Sequence, residues 1–176
     1  MTIKVKDLQF EPYINQHLIN ARVIELANRL TIDYYDKNPL FLSVLNGSFM
    51  FTADLMKHFL SPCQVSFIKL ASYSGLKSTE NVKELIGINE NIEGKHIVII
   101  EDIIDTGLTL KNILLQLKNQ KPASIKIMTL LFKPEAFKET FEIDYVGFEI
   151  ENKFVVGYGL DYDGYGRNLD QIYVVK

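Results

Sequence analysis

Apolar residues at Ile14, Leu18, Ala21, Ile24, Ala27 and Leu30 step by threes and fours between about Glu11 and Tyr35. That spacing predicts one amphipathic helix, and Ala21, Arg22, Glu25, Leu26 and Arg29 favour it by propensity. After Pro39 the pattern changes. Leu40–Leu45 reads as a buried strand, Asn46-Gly47-Ser48 as a tight turn, and Phe49–Leu60 as a helical run. Val65–Ser72 predicts a strand, Ser72–Glu84 a polar loop, and Leu85–Ile88 a short returning strand. The β-branched run Ile97–Ile100 is too short for a buried helix and predicts a central parallel strand. Leu110, Ile113, Leu114 and Leu117 give the next helix. Pro122 ends it, and Ile125–Phe132 predicts another strand. Tyr145–Ile150, Phe154–Gly157 and Ile172–Val175 follow as short strands with no helix between them. The alternation of strands and helices implies an α/β fold with a parallel sheet. The strand-rich end implies a small hood. The chain therefore reads as one domain over 1–176, with a core at about 36–135. The hood is built from the N-terminal segment and about 136–176.

The segment His96–Leu110 carries the chemistry. Its strand runs into Glu101-Asp102, then Ile103-Ile104, then Asp105-Thr106-Gly107-Leu108-Thr109 at a helix start. Open α/β sheets bind ligands at the C-terminal ends of their strands. Backbone N–H groups and two hydroxyls at a helix start form an anion site. Gly107 permits the tight turn that brings the backbone close to a ligand. Helix capping accounts for Asp105 or Thr106. It does not account for two adjacent, mutually repelling acids, which a cation or a pair of hydroxyls would relieve.

Composition narrows the function classes. With 47% apolar and 23% charged residues, the chain suits a globular domain rather than a disordered one. A net charge of −3 gives no electrostatic reason to expect a nucleic-acid partner. The single Cys63 has no partner for an internal disulfide. No apolar run approaches a membrane span, and no apolar signal-peptide region follows Met1, so a cytoplasmic location is expected.

The order of four apolar residues, Glu101-Asp102, two apolar residues and Asp105-Thr106-Gly107-Leu108-Thr109 resembles the phosphoribosyl-pyrophosphate (PRPP) signature of type I phosphoribosyltransferases. The match is complete, and the likeness extends over about residues 15–175. It is nearest to the hypoxanthine/guanine phosphoribosyltransferases of purine salvage, in their short form. The resemblance implies a magnesium-dependent reaction of PRPP with a 6-oxopurine. The products would be a nucleoside 5′-monophosphate, such as IMP or GMP, and pyrophosphate. It implies Asp105 as the proton acceptor at the purine, and residues Asp105–Thr109 around the 5′-phosphate. Glu101 and Asp102 would hold the ribose hydroxyls, the metal, or both.

Leu45, Asn46 and Gly47 would hold the pyrophosphate through backbone donors, with the Leu45–Asn46 bond cis, and Arg167 would lie near the departing group. The family commonly has Lys or Arg where this chain has Asn46. Lys133 would contact the 6-oxo group and Phe154 would stack on the base. The Val155 backbone would read the purine edge. Asp161 would lie on the purine side and help hold magnesium. Ser72 and Tyr73 would tip a lid. The family also implies a homodimer or homotetramer. Two alternatives stay open: a regulator that senses PRPP or nucleotide, and a transferase for another base such as xanthine. The absence of a basic excess, and a purine site at Lys133 and Phe154, weigh against the regulator.

Overall fold

The computed structural model describes residues 1–71, 84–87 and 91–176. The main sheet has six strands in the order β5-β4-β3-β6-β7-β8. These are β3 (Leu40–Val44), β4 (Gln64–Ala71), β5 (Glu84–Ile86), β6 (His96–Ile104), β7 (Ser124–Phe132) and β8 (Tyr145–Glu149). All neighbours pair parallel except β4 and β5. Helices α1 (Gln16–Asp33) and α2 (Phe49–His58) flank one face. Helix α3 (Leu108–Lys118) covers the other. Side chains alternate along the strands, which splits the core in two. Phe41, Val98 and Ile100 pack toward α1 and α2, while Leu40, Leu42, Ile97 and Ile99 pack toward α3. The helix α3 buries Leu110, Ile113, Leu114 and Leu117, the four positions its periodicity marks.

A second, antiparallel sheet, in the order β1-β2-β10-β9, forms the hood. It consists of β1 (Ile3–Val5), β2 (Leu8–Ile14), β9 (Val155–Val156) and β10 (Ile172–Val175). Three sequence expectations are corrected here. Residues 11–14 belong to β2, so α1 begins only at Gln16, where Asn15 Oδ1 accepts a hydrogen bond from Leu18 N at 3.0 Å. Counting the helix from Ile14 put the first half of its apolar stripe out of phase, at Leu18, Ala21 and Ile24, while Ala27 and Leu30 are buried as expected. The buried stripe is Ile19, Val23, Leu26, Ala27 and Leu30, while Leu18 is 53% and Ile24 40% exposed. Finally, Tyr145–Glu149 joins the main sheet rather than the hood. It runs parallel to β7 after an irregular crossover that contains no helix.

The expected loop Ser72–Glu84, including Ser72 and Tyr73, lies outside the described residues apart from the backbone of Glu84. Among the described residues no helix is long and apolar enough to cross a membrane.

Candidate active site

The strand β6 does not stop at Ile100, as its apolar run suggests. It continues through the acids to Ile104, pairing with β7 beyond the point where β3 ends. Glu101 is therefore buried within the sheet rather than standing on its rim. Successive residues point to opposite faces. Glu101 lines a cavity with Ile104, Asp105, Thr106, Gly107 and Thr109. Asp102 points at Gly47, where an added Cβ would lie 1.6 Å from Asp102 Oδ2. Burial raises the Glu101 carboxyl well above its ordinary range, and the neighbouring Asp102 charge adds to this. Burial also pushes Asp102 up to about 6. The charge of Asp161 adds to that shift, while nearby backbone N–H groups and Arg167 oppose it.

At the entry to α3, Gly107 occupies the N-cap position with φ +84° and offers no side-chain cap. The positive φ favours glycine, and a Cβ there would also lie 2.6 Å from Phe137 Cε2, so the ring would have to shift. Thr106 Oγ1 is 3.5 Å from Leu108 N, at the limit of a hydrogen bond. The first turn holds no acid. The positive end of α3 thus opens toward the cavity lined by Thr106, Gly107 and Thr109, a place suited to a phosphate.

The β3–α2 junction is the second half of the site. The Leu45–Asn46 peptide is cis, as the resemblance implies. Leu45 N–H donates to the Ile68 carbonyl at 2.8 Å, so the donors available to a ligand begin at Asn46 and Gly47. From the hood, Gly159 closes on this loop. Its Cβ would lie 2.0 Å from the Gly47 carbonyl oxygen. Gly47 is thereby enclosed between Asp102 and Gly159.

Lys133 follows β7 and is buried. Its Nζ stands 3.3 Å from Asp105 Oδ2, while the Asp105 side chain is about half exposed. A buried cation and an accessible carboxylate thus sit side by side. The ammonium has three donors and keeps two for a further acceptor. Phe154 is 43% exposed although it is clamped by Phe10 and Tyr162, at ring-centroid distances of 6.2 and 5.7 Å. Its neighbour Val155 is buried in β9. Arg167 donates to the Gly159 carbonyl at 2.7 Å and pairs with Asp161 at 2.6 Å. The other oxygen of Asp161 accepts from Gly164 N at 2.6 Å.

Several participants were not legible beforehand. Tyr158 donates to Asp54 on α2 at 2.7 Å and ties the hood to the helix after the 45–47 loop. The Gly157-Tyr158-Gly159 sequence, a tyrosine between two glycines, was the available signal. Phe10 carried none, because its contact with Phe154 spans most of the chain, whereas Tyr162 lies only a few residues beyond Phe154.

The donor set suits a hard divalent cation. Magnesium is usually held by one or two carboxylates, with waters and substrate phosphates completing the shell. Glu101 and Asp102 supply desolvated carboxylates of that kind. Among the described residues no cluster of three acids forms a closed cage.

Comparison with known proteins gives a consistent result. The phosphoribosyl transferase domain family matches residues 11–163. A hypoxanthine-guanine phosphoribosyltransferase of Streptococcus pyogenes is 44% identical over 97% of this chain and 95% of its own length. A hypoxanthine-guanine-xanthine phosphoribosyltransferase of Tritrichomonas foetus is 44% identical over 92% of this chain and 89% of its own. The crystal structure of a hypoxanthine-guanine phosphoribosyltransferase from Bacillus anthracis superposes with a TM-score of 0.87 at 37% identity. That alignment covers 94% of this chain and 98% of the other.

Proposed function

This chain belongs to the phosphoribosyl transferase family, and from that premise we propose how its residues divide the transfer of a phosphoribosyl group from PRPP to a 6-oxopurine. The enzyme converts hypoxanthine or guanine to the nucleoside 5′-monophosphate and releases pyrophosphate, a purine-salvage reaction. The observation that carries the division is the arrangement of groups around β6. The open end of α3 and the Asp105–Thr109 loop suit the 5′-phosphate. Asn46 and Gly47 N–H groups, with Arg167 nearby, suit the diphosphate. Lys133 and the open face of Phe154 suit the base, and the Val155 backbone lies beside it.

The sugar C1–O bond loosens ahead of attack, so positive charge grows on the ribose. Asp102 lies where its negative charge favours that cation, and Glu101 beside it in sequence offers a carboxyl group to the ribose hydroxyls. Asp105 accepts the proton that the purine ring nitrogen gives up as the new bond forms. Lys133 orients the 6-oxo group beside it. Asp102, with Asp161 near enough for their charges to interact, would hold magnesium. The ion supplies charge neutralisation for the diphosphate when bound. The test is nucleotide formation from PRPP and Mg²⁺ with hypoxanthine, guanine, xanthine and adenine supplied separately. Turnover with hypoxanthine and guanine is expected, and none with adenine. The Tritrichomonas relative makes xanthine the base whose result is most informative. No turnover with any 6-oxopurine refutes the reading.

We also propose a homo-oligomeric, cytoplasmic enzyme. Phe49, Val65 and Phe67 form exposed apolar surface around α2 and β4, alternating with buried Ser66 and Ile68 along the strand. Light scattering is expected to give a multiple of the chain mass at micromolar concentration. A monomer mass overturns the proposal.

A further inference from the structure

Beneath the 45–47 loop lie three buried hydroxyls: Ser43 on β3, Ser48 at the start of α2, and Thr52 one turn later. Ser43 Oγ is 2.7 Å from Ser48 Oγ and 2.7 Å from Thr52 Oγ1. Ser48 Oγ donates to the Val44 carbonyl. Each hydroxyl has a single proton, so the direction of the chain follows by counting. Ser48 gives its proton to Val44 and must therefore accept from Ser43. Ser43, having given its proton, must accept from Thr52. The order Thr52 to Ser43 to Ser48 to the Val44 carbonyl is the one assignment that satisfies all three contacts. In a buried setting each bond polarises the next.

The carbonyl at the end of this chain belongs to the Val44–Leu45 peptide. The N–H of the same peptide donates to Ile68 on β4 at 2.8 Å. That peptide plane is thus held at both edges, and the N–H groups of Asn46 and Gly47 follow directly from it. Apolar side chains of similar shape would fill the same space, and such exchanges of paired polar groups are often nearly neutral for stability. What the hydroxyls add is a fixed orientation of the loop.

We propose that Ser43, Ser48 and Thr52 form a one-way hydroxyl relay that positions the 45–47 loop for the diphosphate of PRPP, acting through the Val44–Leu45 peptide. This rests on the reading of that loop as the pyrophosphate site. The three are positioning residues, buried away from substrate. None of them titrates near neutrality, so their contribution is constant with pH.

Steady-state kinetics with PRPP or hypoxanthine varied, and the reverse reaction with pyrophosphate varied against IMP, test the proposal. Ser43→Ala is expected to raise KM for PRPP and for pyrophosphate on the order of tenfold, the scale of one lost buried hydrogen bond. KM for hypoxanthine should stay within about twofold, and the PRPP effect should be the same across neutral pH. Thr52→Val, which keeps shape but not the donor, should act in the same direction, and Thr52→Ser should restore wild-type constants. Unchanged constants for PRPP and pyrophosphate overturn the relay. So does an equal rise for both substrates, or a Thr52→Ser variant as impaired as Thr52→Val. If Ser43→Ala does not fold, the two Thr52 variants decide alone. If the wild type makes no nucleotide from any purine, the functional reading fails instead. Calorimetric titration of wild type and both Thr52 variants with pyrophosphate and Mg²⁺ then reads the relay directly.

Discussion

The junction from β3 into α2 and the junction from β6 into α3 both carry the chain from the C-terminal end of a parallel strand into a helix. Beyond that shared topology their chemistry differs. The first is neutral. It is fixed from below by Ser43, Ser48 and Thr52, and it offers backbone donors at Asn46 and Gly47. The second carries Glu101, Asp102 and Asp105 and keeps its helix end open. A neutral loop of N–H groups can approach a polyanion at little electrostatic cost. The buried carboxylates beside it disfavour that same polyanion until a cation intervenes. On the proposed reading the two junctions divide the substrate between them: one would recognise the leaving diphosphate, the other the sugar, its 5′-phosphate and the proton transfer.

Substitutions test that division. Asp105→Asn should have the largest effect, lowering kcat by about 10²–10⁴ while leaving KM for PRPP nearly unchanged. Turnover within a few-fold of wild type would remove Asp105 from the proton transfer. Gly47→Ala forces a methyl group onto Asp102. A displacement of about 1 Å at a positioned group can cost about 10²-fold, and that loss is expected in kcat/KM for PRPP. An active Gly47→Ala variant would show that the two junctions do not need their present contact.

Asp102→Asn addresses stability. The Asp102 pKa is raised to about 6 from an ordinary 3.8, so the folded state holds this proton more tightly than the unfolded chain. Its stabilising contribution is complete below the unfolded value and is lost as pH rises through about 6. Denaturant unfolding of the ligand-free protein should show Asp102→Asn more stable than wild type by about 2–3 kcal/mol near pH 7.5, with the gap closing near pH 4. A gap independent of pH would mean that Asp102 ionises freely. The smallest effect belongs to the proposed base site, outside both junctions. Phe154→Ala should raise the purine KM by about fivefold, the equivalent of a stacking contact of about 1 kcal/mol, and leave KM for PRPP unchanged. A shift in both constants would mean that the hood and the junctions are not separable.

The same pair of junctions separates what sequence reveals from what it hides. The acidic junction is written in one continuous stretch. Its strand, acids, glycine turn and the four buried positions of α3 could all be read locally. The neutral junction shows only Asn46-Gly47-Ser48, an ordinary turn when taken alone. The role of Ser43 and Thr52 depends on their being covered together, which no local pattern records. Non-local pairing explains the other misreadings. The strand β2 holds Pro12 and takes its partners from β1 and β10, so its pattern merged with the helix that follows. The strand β8 joins the main sheet through a crossover without a helix, the element that usually announces a parallel strand.

The pairing of β2 with β10 joins segments from near the two ends of the sequence. Every strand of the main sheet is made before β10, and loop-closure entropy opposes so distant a contact until the rest is in place. The half of the cleft built on the main sheet can therefore assemble during synthesis, while the platform under Phe154 waits for Ile172–Val175. Deleting residues 172–176 is expected to leave β6 amides slow to exchange and to make those of β2 fast, as read by hydrogen exchange. Equal protection of both strands would show that the hood stands without its last strand. On the proposed reading the purine side of the cleft would thus be the later half to take shape, because its platform depends on the pairing of β2 with β10.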